Sequence, residues 1–227
     1  MQNVSRRIAD LSPERRKALE ALLEKSSVPK SEVAPDNESL SEGRGSEAIT
    51  AEDYYAPALD GATAKARTRR FYDSISSQLA ATEAGRYSYF LNFGYVPDGS
   101  PEYSAVALPA HYLNKNFVRL VLELVGDCDV RALKILDVGC GRGGTVHVLK
   151  TFFQPAALVG VDLSGRAVSF CVKAHRDARV HFLNGDAEAL PFKSGSFDVI
   201  TNVESSHSYP AVRAFYSEVY RLLAHGG

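Results

Sequence analysis

The chain has 227 residues, 45% of them hydrophobic, and a formal net charge of -1. That hydrophobic content is normal for a globular core and excludes a chain that is disordered throughout, while the charge gives no overall positive field to attract nucleic acid or an anionic membrane. The three cysteines form no CxxC pair, so neither a disulfide framework nor a metal site is expected, and a reducing, cytoplasmic compartment fits best.

Two N-terminal segments are predicted to lie outside the main domain. Residues 11–25, LSPERRKALEALLEK, combine a serine N-cap, a proline at the first helical position and a leucine stripe. Residues 1–25 are therefore predicted to hold an amphipathic linker or docking helix, with a frayed terminus as the alternative. Residues 26–50 have almost no large apolar side chains and are predicted to be a flexible linker. No apolar window is long enough for a signal peptide or a membrane span.

Residues 51–112 are predicted to form a helical region that precedes the core domain. Three apolar side chains recur there at helical spacing: Phe71, Ile75 and Leu79. Residues 87–112 are rich in tyrosine, glycine and proline and predict an aromatic loop. This loop either covers an acceptor pocket as a lid or packs on the sheet as part of the core.

A further helix is predicted for residues 114–125, NKNFVRLVLELV. Asn114 is its candidate N-cap, because a short polar side chain can accept a hydrogen bond from the first turn. The apolar face of this helix is expected to contain four side chains: Phe117, Leu120, Val121 and Leu124.

Strands and helices are then predicted to alternate. Four short apolar runs are typical of strands buried on both faces of a parallel sheet: KILDVG (134–139), ALVGVDL (157–163), VHFLNGD (180–186) and FDVITNV (197–203). Helices are predicted between and after them, at residues 145–153, 166–175 and 211–223. This order predicts a doubly wound α/β fold with a Rossmann-like parallel sheet. The core is expected to span residues 113–227 and to be truncated after the fourth strand, because that strand would leave an open edge.

A glycine-rich loop, LDVGCGRGGT, follows the first predicted strand. Glycines at such a turn let the backbone approach a ligand closely, and Gly139, Gly141 and Gly144 also satisfy the dinucleotide pattern GxGxxG. Asp137 favours another ligand, because a carboxylate there repels pyrophosphate and attracts a cationic amino-acid group. Asp162 ends the second strand, where it can accept ribose hydroxyls, and Asp186 ends the third, where it can accept from an exocyclic amine.

The ordered set LDVGCGRGG, VGVDLS, GDAEALPF and FDVI resembles class I S-adenosylmethionine-dependent methyltransferases over residues 113–227. The resemblance implies that Asp137, Gly139 and Gly141 border the methionine part of the cofactor. It assigns Asp162 to the ribose and Asp186 with Ala187 to the adenine. The implied cofactor-binding set is completed by Cys140, Leu163 and Asn202. Cys140 is interpreted as a small buried residue rather than a nucleophile, because no partner base is placed by the sequence.

The stretch NVESSHSYP, residues 202–210, follows the fourth predicted strand on the expected acceptor side. A hydroxyl acceptor needs a base, and His207 can be neutral at physiological pH while Glu204 fixes its tautomer. The two residues share a face if residues 204–207 form a helical turn. The alternative is a polar turn without a catalytic role. No NPPY or DPPY motif is present, which makes amide or exocyclic nitrogen acceptors less favoured.

The stretches VESSHSYP and LNFGY are similar to lipid and small-molecule methyltransferases, including those that act on phthiotriol-type lipids and the O-methyltransferase domains of modular polyketide synthases. The resemblance implies O-methylation of a polyketide-like, carrier-protein-tethered or lipid intermediate by a His207–Glu204 pair. Neighbouring synthase domains are implied as partners, and nucleic acid is not. Three alternatives stay open: a C- or N-methyltransferase, a noncatalytic docking domain of a megasynthase, and a dinucleotide-dependent oxidoreductase.

Overall fold

The computed structural model describes Tyr54, residues 60–99 and residues 104–227. The predicted helix of residues 11–25 and the predicted linker of residues 26–50 lie outside the described residues. No helix in the described part of the chain is long and apolar enough to cross a membrane.

The core is a parallel sheet of four strands in the order β3-β2-β1-β4. The strands are β1 (Lys134–Val138), β2 (Ala157–Asp162), β3 (Val180–Asn184) and β4 (Val199–Thr201). The helices that follow them are α3 (Gly144–Phe152), α4 (Gly165–Ala174) and α5 (Val212–Leu222), and two further helices precede the sheet: α1 (Gly61–Ala80) and α2 (Lys115–Val125). The predicted alternation of strand and helix, and the doubly wound α/β fold, are confirmed.

Apolar side chains cover both faces of the sheet at β1 and β2, as predicted. The prediction that all four strands are buried on both faces is wrong for β3, where only Val180 is buried, because β3 lies at the edge of the sheet. On one face, Leu136 and Val138 pack with Phe215 and Leu222 of α5. On the other, Ile135 and Leu158 belong to a second cluster, whose remaining buried members are Val125, Val130, Val146, Leu149 and Val180. This packing places the carboxyl ends of all four strands at one edge, where the loops that follow them meet.

The predicted helix containing Phe71, Ile75 and Leu79 is confirmed as α1. Asp60 caps its N-terminus, because its side chain accepts a hydrogen bond from the backbone N–H of Thr63. A short 3₁₀ helix, Ala84–Arg86, follows, and an extended segment continues from there. We call residues 60–94 the roof. Asp73 ties the roof to the core, because its carboxylate accepts from the Ser164 hydroxyl at 2.6 Å.

The predicted helix of residues 114–125 is present as α2, but two details of its prediction are wrong. Asn114 occupies the N-cap position with φ 58° and makes no side-chain cap bond, because it lies in the left-handed region. The buried face is rotated from the expected one: Leu124 is 53% exposed. The buried side chains are Val118, Val121, Leu122 and Val125. Tertiary contact with α3 chooses this face, since apolar residues surround much of the helix.

We predict that Ser164→Ala lowers the free energy of unfolding by about 1–2 kcal/mol. The fully buried Ser164 hydroxyl caps α4 by accepting from the N–H of Ala167 at 3.1 Å and donates to Asp73 of α1. Urea unfolding measures the change. The control is Ser169→Ala, since that hydroxyl is exposed and only back-bonds to Gly165 within α4. Equal effects of the two substitutions would contradict the prediction.

Candidate functional site

A cleft that is open to solvent lies at the carboxyl ends of the four strands, between the glycine-rich loop and the roof. Lys65, Thr68 and Tyr72 line it from α1, and Phe90 and Leu91 line it from the extended part of the roof. The cleft is therefore placed where doubly wound folds bind their ligands.

The glycine-rich loop turns sharply at three positive-φ glycines: Gly139 (71°), Gly141 (52°) and Gly143 (81°). The N–H groups of Gly139 and Cys140 both donate to the carbonyl oxygen of Val161, which holds the loop against the end of β2. A side chain on Gly139 would overlap Ser205, since an added Cβ lies 2.3 Å from its hydroxyl oxygen. At Gly141 an added Cβ meets only Leu91, at 3.4 Å, so this part of the backbone faces the cleft.

Asp137 is 1% exposed and lies behind the loop, outside the cleft lining. Its Oδ1 accepts from the Thr201 hydroxyl at 2.8 Å, and its Oδ2 has no hydrogen-bond partner. Burial raises the pKa of Asp137 to about 7; the Thr201 bond opposes this shift and the charge of Asp162 adds to it. An unpartnered buried carboxyl oxygen is costly, and a positive group near the loop would compensate for it.

Asp162 organises the loop from the end of β2. Its Oδ2 accepts from the N–H of Gly141 and its Oδ1 from the N–H of Ser164, both at 2.8 Å. Burial raises its pKa, while these two bonds favour the charged form. Each carboxylate oxygen has a second lone pair, so Asp162 can still accept from ligand hydroxyls.

Asp186 is part of an ion cluster that the sequence did not reveal. Lys65 of α1 places its Nζ 2.6 Å from Oδ2 of Asp186 and 2.5 Å from Oε2 of Glu188. Burial would lower the pKa of Lys65, but the bonds and charges of the two carboxylates outweigh it and raise that pKa. Oδ1 of Asp186 accepts from the N–H of Glu188. The cluster joins the roof to the end of β3 at the position expected for adenine.

Glu204 and His207 do not form the expected contact, and the shared helical face predicted for them is wrong. Glu204 has φ 50°, which takes it out of the short 3₁₀ helix Ser206–Ser208. Its Oε2 instead accepts from the N–H of Phe93 in the roof at 3.0 Å, and it lines the cleft. His207 is exposed and outside the lining, and no hydrogen bond or ion pair between the two side chains is found among the described residues.

Asn202 also lies behind the loop rather than in the cleft lining. Its Nδ2 is 2.8 Å from the carbonyl oxygen of Val138, 2.7 Å from the Ser205 hydroxyl and 3.0 Å from the Tyr209 hydroxyl. Burial raises the pKa of Tyr209, which keeps its phenol neutral. This network supports the turn at Gly139 from behind, and the cofactor contact predicted for Asn202 stays a prediction.

The other seven residues predicted to bind cofactor all line the cleft: Gly139, Cys140, Gly141, Asp162, Leu163, Asp186 and Ala187. Neighbouring Cys171 and, after it, burial raise the pKa of the Cys140 thiol, consistent with an unreactive buried residue. Within the described residues, no group of histidine, cysteine and carboxylate side chains could hold a metal ion.

Lys65 and Arg142 are two residues of this site that sequence reasoning missed. Arg142 stands among the loop glycines, while no local signal in the sequence marks Lys65.

Residues 135–227 match a family described as a methyltransferase domain. A fatty-acid O-methyltransferase of Mycolicibacterium smegmatis is 39% identical over 138 residues, which are 61% of this chain and 50% of that protein. A phthiotriol/phenolphthiotriol dimycocerosates methyltransferase of Mycobacterium leprae is 33% identical over 162 residues, 70% of this chain and 57% of that protein. The chain therefore spans about half the length of the curated relatives it matches.

The solved structure of the 4+2 cyclase SpnF superposes with a TM-score of 0.55, covering 70% of this chain and 56% of that chain at 22% identity. This likeness supports the fold alone. The family match over residues 135–227 and the similarity to the curated methyltransferases support a class I S-adenosylmethionine-dependent methyltransferase.

S-adenosylmethionine, the cofactor of this class, fits the cleft. The unpartnered oxygen of Asp137 supplies negative charge behind the loop for an ammonium group, and Gly141 leaves its side of the cleft open. Asp162 has acceptor capacity for ribose hydroxyls. Phe90 packs against Gly144 at the start of α3, where an added Cβ would lie 2.5 Å from its ring.

Proposed function

We propose that the protein transfers the methyl group of S-adenosylmethionine to an oxygen atom of a lipid or polyketide-like acceptor. The observation that carries the cofactor assignment is the buried, unpartnered Oδ2 of Asp137 behind an open glycine loop. The names of the M. smegmatis and M. leprae relatives, a fatty-acid O-methyltransferase and a phthiotriol-lipid methyltransferase, support a lipid acceptor.

Bound S-adenosylmethionine would supply an electrophilic sulfonium methyl group to a lone pair of the acceptor oxygen, and the sulfur would keep the electron pair of the broken sulfur–carbon bond. Glu204 lines the cleft beyond β4 and uses one carboxylate oxygen to hold the N–H of Phe93, which leaves its Oε1 free to take the proton of a hydroxyl acceptor. A carboxylic acid acceptor is already ionised near neutral pH and needs no base. Phe90 and Leu91 exclude water from the roof side.

Calorimetry with S-adenosylmethionine and S-adenosylhomocysteine tests the cofactor assignment. Transfer of a labelled methyl group to a fatty acid, a long-chain alcohol and a carrier-protein-bound acyl chain tests the acceptor. Product with the carrier-bound chain but neither free lipid would support the tethered form and synthase partners. Absence of binding to both cofactor forms would overturn the proposal, and binding without transfer to any acceptor would favour a noncatalytic domain.

We predict that Glu204→Gln lowers kcat on an alcohol acceptor by about 100-fold or more, while the Kd of S-adenosylhomocysteine changes by less than about twofold. Glutamine has the same shape and can still accept from the N–H of Phe93, so only the base is removed. Turnover of a fatty acid should fall much less. His207→Ala is expected to retain turnover within about twofold, because that side chain is outside the cleft. A large loss of turnover in His207→Ala would indicate that the histidine takes part in the reaction.

A further inference from the structure

Arg142 lies between the glycines of the loop and is completely buried, at 0% exposure. Its guanidinium donates to three backbone carbonyl oxygens: Gly85 at 2.6 Å, Ser88 at 2.7 Å and Ser76 at 3.4 Å. Its Cζ atom also lies 3.5 Å from the centre of the Phe170 ring in α4. Every hydrogen bond of this guanidinium therefore ends in the roof.

The charge of Arg142 is neutralised by no carboxylate within the described residues. Burial lowers its pKa, yet an arginine stays protonated, so the roof carbonyls and the Phe170 face must compensate for lost hydration. If the roof moved away, a buried cation would lose its acceptors. The position of the roof and the burial of the Arg142 guanidinium thus depend on each other.

The backbone of Arg142 is also held by His175. Its Nε2 lies 3.0 Å from the carbonyl oxygen of Arg142, and burial lowers the His175 pKa to about 4. The imidazole is therefore neutral at physiological pH and donates through Nε2–H. Gly85 completes the anchor, because an added Cβ would lie 1.7 Å from the carbonyl oxygen of Leu79, so this turn is closed tightly.

The residues that follow the anchored turn line the cleft. Phe90 lies over Gly144, and Leu91 comes within 3.4 Å of an added Cβ at Gly141. The bonds from Arg142 to Gly85 and Ser88 hold the turn that directly precedes these two side chains.

We propose that Arg142 is a positioning residue for cofactor and acceptor, which holds roof residues 89–91 at a fixed height above the glycine loop. This inference rests on the proposed function. Its action is indirect, through the roof, and it predicts a coupling between a single loop side chain and the order of a segment more than fifty positions earlier in the chain.

Hydrogen exchange of the cofactor-free protein tests the coupling independently of activity. Arg142→Lys keeps the charge, but its single terminal nitrogen cannot reach all three carbonyl oxygens. Amide hydrogen exchange in residues 85–92 should therefore become faster, while the amides of β1 and β2 stay protected. The Kd of S-adenosylhomocysteine should rise about 10–100-fold, and the acceptor KM should rise more than kcat falls. The control is Arg179→Met, because Arg179 is exposed and pairs with Asp177. This substitution should change neither the exchange of residues 85–92 nor the Kd of S-adenosylhomocysteine.

Phe170→Leu provides a second variant if Arg142→Lys does not fold, because it removes the ring beneath the guanidinium and leaves the carbonyl bonds in place. It should produce the same local rise in exchange with a smaller change in Kd. Unchanged exchange in residues 85–92 in a folded variant would overturn the inference. A wild-type protein that fails to bind the cofactor would overturn the proposed function instead, and the exchange result would still stand.

Discussion

Asp137→Asn is expected to stabilise the cofactor-free protein above neutral pH and to weaken cofactor binding. The folded-state pKa of Asp137 is about 7, against a reference of 3.8, so between these values the folded state holds a proton that the unfolded state has released. The free energy of unfolding therefore falls as pH rises from about 4 to 7, by about 4 kcal/mol for this group, and is level above pH 7. Asparagine cannot ionise and removes this slope.

Cofactor binding should respond in the opposite sense. An ammonium group near the loop is attracted by the ionised form of Asp137, so wild-type affinity for S-adenosylhomocysteine should increase as pH rises through about 7. Asp137→Asn should bind about 10–100-fold more weakly at pH 8 and show a flatter profile, because the charge is lost. Calorimetry at several pH values, with urea unfolding at the same values, measures both effects.

Thr201→Val is the matched variant for this experiment. The Thr201 hydroxyl donates to Oδ1 of Asp137 and lowers its pKa, so removing it should move both pH profiles to higher pH without abolishing them. If Asp137→Asn binds the cofactor as tightly as wild type at every pH, the carboxyl has only a structural role and the assignment of its charge to the ligand is wrong.

Gly139→Ala is expected to lower the free energy of unfolding by about 3 kcal/mol and to abolish measurable cofactor binding. Gly139 has φ 71°, and an added Cβ would lie 2.3 Å from the Ser205 hydroxyl oxygen and 2.7 Å from the Tyr209 hydroxyl. Relief of this overlap requires the loop to shift or the network around Asn202 to open. Either response displaces the backbone that faces the ligand.

Gly99→Ala separates backbone strain from steric overlap. Gly99 has φ 92° and no atom within 4 Å of an added Cβ. Gly99→Ala should lower the free energy of unfolding by about 1 kcal/mol, which is the strain of an alanine at positive φ, and should leave cofactor binding unchanged. Thermal unfolding and calorimetry compare the two variants. Wild-type affinity in Gly139→Ala would show that the turn tolerates a side chain.

The site was predictable where local pattern and strand position are sufficient. Asp162 ends β2 and Asp186 follows the end of β3 by two residues. Parallel strands bring their carboxyl ends together, so both acids could be assigned to one cleft from the sequence. The glycines of the loop were found for the same reason. Asp137 and Asn202 also lie at or next to the carboxyl ends of strands, yet their side chains lie behind the loop. Side chains of a strand alternate between its two faces, and sequence spacing does not say which face borders the ligand.

Contacts between distant segments could not be predicted. Lys65 is 121 positions from Asp186, and Arg142 is 57 positions from Gly85, so no local pattern connects either pair. The helical turn expected for Glu204 and His207 is absent for a local reason: Glu204 has a positive φ, which is uncommon at a residue other than glycine, and its side chain is bonded to the roof instead.

By itself, the sequence determined the alternating strands and helices, the glycine loop and the order of the acids, because each depends on burial and backbone geometry within a few residues. The tertiary structure decided which face of α2 is buried and which acids reach the cleft. It also decided that the roof is held by Lys65, Asp73 and Arg142. These outcomes depend on long side chains meeting partners across the fold, where the cost of burying a charge or a polar group selects one arrangement.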